Sequence, residues 1–179
     1  DLVAAECKAT REAVGLLDIS GFSRFEVSGD GAEAWLDHIM ASKLPAPGRA
    51  KLAPMLSETG KLKGDLTIFN WGDGSYWIMG SYYLREWHMR WFDDHMGEGV
   101  SLRDISDKMV GFSLSGPNSR KVLEALTVDP IGDLKFMGCG SYDLGLLKCK
   151  IGRLSLTGEL GYEINCSASE HIALRKMLL

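Results

Sequence analysis

Two acidic residues stand where side chains can do chemistry. Asp65 follows Gly64 and opens the run Leu66-Thr67-Ile68-Phe69, whose residue types favour a strand. A carboxylate at the start of a largely buried strand needs a partner or a task. A structural ion pair with Arg153 and a role in proton transfer both remain open for it. Glu159 lies in Thr157-Gly158-Glu159-Leu160-Gly161-Tyr162-Glu163, a hairpin signal. An acid between two glycines has open backbone around it and can accept paired hydrogen bonds from adjacent N–H donors of a heterocycle. A surface turn with a spare glutamate is the plain alternative. Other groupings are weaker. Ser115-Gly116-Pro117-Asn118-Ser119 lacks the glycine pattern and lysine of a phosphate loop, so it reads as a strand-to-helix turn. Asp93-Asp94-His95 are adjacent on a helical pattern and point in different directions, so no metal site is expected there. His38, His88 and His171 are isolated and receive no role. Cys7, Cys139, Cys149 and Cys166 form no CxxC pair, which predicts reduced, mostly buried thiols without a zinc site or disulfide framework.

The elements that must hold these residues occur twice. Phe25-Glu26-Val27-Ser28-Gly29 followed by a helical run is echoed by Phe112-Ser113-Leu114-Ser115-Gly116, 87 residues on (112 − 25). The six residues from Gly64 resemble those from Gly152, and the six from Gly74 resemble those from Leu160. Repetition of this kind predicts two copies of one supersecondary unit. The pattern reads as a helix over 2–14, a strand over 22–27 and a helix over 32–41 capped by Asp30, with Ala32, Trp35, Leu36, Ile39 and Met40 as its core stripe. Strands follow near 53–57, 64–70 and 76–79, then a helix over 81–96 that covers a sheet with Leu84, Trp87, His88, Trp91 and Phe92. After a charged joint at 102–108 the order repeats: strand 110–114, helix 118–126, strands near 144–156 and 161–166, and helix 168–179. The expected fold class is α+β, two tandem related units of mainly antiparallel sheet with helices, the first spanning 1–107 and the second, incomplete at its C-terminal end, 108–179.

Composition narrows the partners. At 179 residues, 45% hydrophobic and 25% charged, the chain can bury a substantial core. A net charge of −4 argues against nucleic acid, whose phosphates demand a basic face. No apolar run reaches the roughly 18 to 20 residues of a membrane span, and the first residues lack a signal peptide's basic and apolar regions, so a cytoplasmic location is expected. The sequence opens at Asp1 and closes within a helical pattern, which reads as an excerpt of a longer polypeptide.

Val14-Gly15-Leu16-Leu17-Asp18-Ile19-Ser20, the segment Gly60 to Ile68, the segment Ser113 to Leu123 and above all Arg153 to Ile164 resemble the folate-binding aminomethyltransferase family, whose type member is the T protein of the glycine cleavage system. Gly158-Glu159-Leu160-Gly161 with its following aromatic looks most like the tetrahydrofolate-binding module of sarcosine and dimethylglycine dehydrogenases. The resemblance implies that Asp65 is the catalytic aspartate beside the reactive folate nitrogens and that Glu159, with Gly158 and Tyr162, binds the pterin ring. It also implies tetrahydrofolate as cofactor, a one-carbon donor derived from a methylamine such as sarcosine or dimethylglycine or from glycine, and an upstream flavin domain in the parent polypeptide. The chain itself has no GxGxxG nucleotide fingerprint. It departs from the family in having Gly64 before Asp65 where T proteins carry a second aspartate, Leu156 where they carry tyrosine, and Met79-Gly80-Ser81 where they carry asparagine at the strand end. A non-catalytic folate-binding or structural module, or a transferase using another methyl donor, is the alternative.

Overall fold

The doubled sequence phrase becomes a doubled sheet. The computed structural model describes residues 1–179 and contains helices α1 (Leu2–Glu12), α2 (Ala32–Ile39), α3 (Arg85–Asp94), α4 (Ser119–Leu126) and α5 (His171–Leu178). Its strands are β1 (Gly15–Asp18), β2 (Phe22–Ser28), β3 (Arg49–Leu56), β4 (Leu62–Asn70), β5 (Tyr76–Ser81), β6 (Ser101–Asp104), β7 (Met109–Ser115), β8 (Cys139–Leu144), β9 (Leu147–Gly152) and β10 (Gly161–Ser167). They form two five-stranded sheets, ordered β6-β2-β5-β4-β3 and β1-β7-β10-β9-β8, with every pairing antiparallel. Matching β2 to β5 with β7 to β10 makes the two orders identical. The helices follow suit: α2 succeeds β2 as α4 succeeds β7, and short 3₁₀ turns, Tyr82–Leu84 and Ala168–Glu170, lead into α3 and α5.

The edge strands are exchanged between the repeats. β1 precedes β2 in the chain yet pairs with β7, and β6 precedes β7 yet pairs with β2. The compact units are therefore residues 21–107 and residues 1–20 with 108–179, a correction to the contiguous division at 107/108 expected from sequence. The cause lies in two short copies, Leu16-Leu17-Asp18-Ile19-Ser20 and Leu102-Arg103-Asp104-Ile105-Ser106. In each, the serine N–H donates to the aspartate Oδ1 at 2.9 Å two residues back. In each, the isoleucine N–H reaches a carbonyl of the sheet at 2.9 Å, Gly111 in one unit and Arg24 in the other.

Strand register also revises the internal alignment. Thr67 faces Met79 as Lys150 faces Asn165, which places Lys148, not Arg153, at the position of Asp65. Gly64 and Gly152, matched by local similarity, are not equivalent, and Arg153 occupies the place of Asn70.

Each unit has its own core. In residues 21–107 the stripe Ala32, Trp35, Leu36, Ile39 and Met40 is buried, and the Phe92 ring meets Phe25 and Trp35 edge-on at 5.3 and 5.8 Å. α2 starts at Gly31 with no side-chain cap bond, so Asp30 does not cap it. Of the face expected on 81–96, His88 and Phe92 are buried whereas Leu84 and Trp87 stay partly exposed; Lys63 Nζ sits 4.9 Å from both the Trp87 and Trp91 rings and supplies their cover. In the other unit Phe112, Leu114, Leu123, Ile151, Tyr162, Ile164 and Leu174 form the centre of the core. Cys139, Cys149 and Cys166 are buried free thiols and Cys7 is exposed. Burial pushes the Cys149 thiol up to about 12.

Candidate functional site

Glu159 is carried by the connection between β9 and β10, residues 153–160, which is three residues longer than its counterpart 71–75 between β4 and β5. Both ends of this longer loop are clamped by backbone. Arg153 exchanges bonds of 2.8 Å with Met137 N–H and Gly138 O, while Leu160 O accepts from Gly116 N–H at 2.8 Å and from Ser119 Oγ at 3.0 Å. Between the clamps Ser155 Oγ accepts from Thr157 N–H at 3.2 Å, and Gly158 turns the chain at φ 79°. Gly116 has φ 130° and lies so near α1 that an added Cβ would sit 2.5 Å from Ala13 O and 2.7 Å from Thr10 O. Only glycine permits that approach. The turn at 115–118 thus docks the end of α1, with Asn118 N–H donating to Ala13 O at 3.2 Å, and fixes the Glu159 loop on its other side.

The result is an open cavity of about 450 Å³ lined by Phe136, Arg153, Ser155, Gly158, Glu159 and Gly161, with Leu154 and Leu160 between. A second hollow of about 280 Å³ lies on the α1 side, lined by Thr10, Arg11, Thr157 and Glu159 among others. The Glu159 side chain, 20% exposed, pairs with Arg11 Nη1 at 3.2 Å, and Arg11 is itself 75% exposed. An exposed partner on a flexible stem contributes no more than about 1 kcal/mol, so a better donor can displace it. The carboxylate is held in place and available.

Tyr162 is placed differently from expectation. It is fully buried in the core, and its hydroxyl accepts from Arg120 Nε at 3.1 Å, so it secures β10 and offers no surface to a ligand. The cause is strand alternation: Tyr162 pairs with Leu114 on the core face of β7. Gly158 and Glu159 do line the cavity.

Asp65 belongs to the other unit, in β4 opposite Pro54. It is exposed on a strand whose neighbours Gly64 and Leu66 are buried, and its carboxylate makes no hydrogen bond or ion pair within residues 21–107. Arg153 directs Nη1 to Leu134 O at 3.0 Å. Within its own unit the Asp65 carboxylate is exposed and has no partner.

Sequence reasoning missed a duplicated joint. At the start of α5, His171 Nε2 lies 2.9 Å from Asp18 Oδ2 and its ring stacks on Phe112 at 4.7 Å. At the matching start of α3, Arg85 pairs with Asp104 and reaches Asp107 at 2.9 Å. Burial pushes Asp18 up, but bonds from the Ser20 side chain and N–H, together with His171, hold it below the usual carboxylate range. The cue was the pair of Asp-Ile-Ser triplets together with a basic residue four positions past each of two strand-ending serines, Arg85 after Ser81 and His171 after Ser167. His88 is buried beneath Gly64 and Gly80; Cβ atoms there would lie 3.0 Å from its Nε2 and 3.6 Å from its Cε1. Burial lowers its imidazole from the ordinary range, with the Lys63 backbone pulling weakly the other way, although neither ring nitrogen makes a bond of normal geometry. No group of three or more His, Cys, Asp or Glu side chains is arranged to hold a metal ion, and no helix is long and apolar enough to cross a membrane.

The chain thus joins a duplicated α+β fold to an open, loop-borne cavity on which Glu159 stands. The sequence profile of the GCVT N-terminal domain matches residues 1–179, and the chain belongs to that family. Rat (Rattus norvegicus) mitochondrial dimethylglycine dehydrogenase is 28% identical over 182 residues, covering 99% of this chain and 21% of that protein. An aminomethyltransferase of Chloroherpeton thalassium is 32% identical over 174 residues, covering 96% of this chain and 48% of the relative. Among solved structures, the glycine cleavage system aminomethyltransferase T from Bartonella henselae superposes with a TM-score of 0.89 at 23% identity, over 99% of this chain and 48% of that one. The heterotetrameric sarcosine oxidase from Corynebacterium sp. U-96 gives 0.73 at 18% identity, over 99% and 89%. The fold is that of the T protein. The chain spans about half the length of the aminomethyltransferase, 48%, and about a fifth of the dehydrogenase, 21%.

Proposed function

We propose that this chain is a tetrahydrofolate-dependent, aminomethyltransferase-like module that accepts a one-carbon unit. One observation carries the reading: in a chain of the GCVT N-terminal domain family, Glu159 stands in a cavity of about 450 Å³ with only an exposed arginine to displace. That volume falls within the range of small-ligand pockets, roughly 300 to 1,000 Å³. Tetrahydrofolate, when bound, would supply the nucleophilic amine that takes up the carbon. Glu159 would accept the pterin's adjacent N–H donors and fix its orientation, with Gly158 letting the loop backbone come close. Asp65, exposed and without a partner, is suited to hold or accept a proton during transfer. The donors in keeping with the relatives' names are N-methyl amines such as dimethylglycine or sarcosine, or an aminomethyl group from glycine, and a flavin domain on the same polypeptide would generate the first kind.

Leu156 gives a second reading its basis. It is 87% exposed where T proteins carry a tyrosine, which removes an aromatic contact and favours folate binding without catalysis. One experiment separates the two. Asp65→Asn should keep most tetrahydrofolate affinity and slow single-turnover transfer by about 10²- to 10⁴-fold. Glu159→Gln should instead weaken binding by roughly 1.5 to 3 kcal/mol. Both variants are made in the full-length parent polypeptide; unchanged transfer in the Asp65 variant rejects its catalytic role, and no transfer in the unaltered parent despite tight binding supports the non-catalytic module.

A further inference from the structure

Glu159 is not the only charged group at its cavity. Arg153 lines the same wall, half-buried, and its guanidinium is under-used. Its side chain makes one hydrogen bond, Nη1 to Leu134 O at 3.0 Å; Nε–H is sealed from solvent without an acceptor, and no carboxylate pairs with the group. An Nε–H sealed from water without an acceptor is expensive to keep, because its desolvation is not repaid. Nearby, Met137 holds φ 59°, a conformation that non-glycine residues adopt rarely and that concentrates at ligand sites. Its N–H is spent on Arg153 O at 2.8 Å, and the residue before it, Phe136, stands 63% exposed on the cavity wall. Strain, an exposed ring and an unmatched cation converge on one hollow.

We infer that Arg153 is a specificity-determining residue of this cavity, donating to a ring oxygen of the ligand while Glu159 accepts from its N–H edge and Phe136 covers its face. The cavity is thus read as bipolar, suited to a fused heterocycle with a carbonyl oxygen beside its donor edge, as in the 4-oxo pterin ring. This rests on the reading of Glu159 as the pterin grip. A ring with an amino group in place of that oxygen would present a donor to Arg153 and, lacking the adjacent ring N–H, an acceptor to Glu159, costing affinity at both residues.

Titration calorimetry of the full-length parent polypeptide with tetrahydrofolate and with its 4-amino-4-deoxy counterpart tests the inference. The unaltered chain should prefer the 4-oxo ligand by about 10- to 100-fold, the worth of a charge-assisted hydrogen bond. Arg153→Met, which keeps the aliphatic stem, should lower tetrahydrofolate affinity and shrink that preference to the part that Glu159 confers, while Glu159→Gln weakens tetrahydrofolate as well. Equal or tighter binding of the 4-amino ligand by the unaltered chain would overturn the inference without any variant having to fold. So would tetrahydrofolate affinity unchanged in Arg153→Met, with the Glu159 reading left standing. Binding of neither ligand by the full-length parent polypeptide would refute the pterin reading itself, and this inference with it.

Discussion

Replacing Gly116 with alanine should strike the Glu159 loop through its foundation. Two terms add there. At φ 130° an L-residue is strained by about 1 to 3 kcal/mol. The new Cβ also meets Ala13 O at 2.5 Å, Thr10 O at 2.7 Å and Val14 Cα at 3.0 Å, all backbone, so relief requires moving the end of α1 and not a side-chain tip. Overpacking of that kind costs about 1 to 3 kcal/mol. Together the loss is about 2 to 6 kcal/mol, or roughly 4 to 24 °C in Tm for a chain of this size. Gly60→Ala is the control, because Gly60 has φ 75° but nothing within 4 Å of its Cβ position, leaving a conformational penalty near 1 kcal/mol. Scanning calorimetry of the two variants measures the difference. Tetrahydrofolate affinity should fall in Gly116→Ala alone, since Gly116 N–H is one of the clamps on Leu160. A Gly116 variant no less stable than the Gly60 variant would refute the argument that backbone proximity to α1 sets this turn.

Other outcomes follow from the same structure. His88 is buried and its pKa lowered, so the folded state resists protonation; stability from this group is complete above the unfolded value of about 6.5 and falls as pH drops below it, which NMR titration of the imidazole should show as a midpoint below 6.5. Phe92→Ala removes a fully buried ring that contacts Phe25 and Trp35 and should destabilise residues 21–107 by about 3 to 5 kcal/mol in a urea titration, against less than about 1.5 for Phe92→Leu if the core repacks around the smaller side chain.

What could be read from sequence depended on range. The stripe Ala32 to Met40 has helical period and is buried as that period demands. Tyr76 and Tyr162, matched by local similarity, hold matching places in register. Gly64 and Gly152 were matched on the same kind of similarity and are not equivalent, because cross-strand register decides and no single strand contains it. Tyr162 fell inside the motif that pointed to Glu159, but the motif does not say that alternation turns the ring inward. Trp87 carried the right spacing for burial and remained 39% exposed, since Lys63 from β4 supplied its cover. Asp65 and Glu159 were picked by residue type and resemblance; the unmatched guanidinium of Arg153 is visible only in three dimensions.

The exchange of edge strands carries a cost in time. Leu16 must find Leu114, 98 residues later (114 − 16), so β1 leaves the ribosome long before its partner exists. At about 5 to 20 residues per second the wait is roughly 5 to 20 s. Residues 21–107 need nothing downstream and can close their sheet meanwhile. During that interval the β1 segment, Gly15–Asp18, has unpaired N–H and C=O groups, the kind of edge that other chains extend. Its exposed charges, Asp18 at its end and Lys8 and Arg11 on the preceding helix, are placed where they would discourage such pairing until β7 emerges.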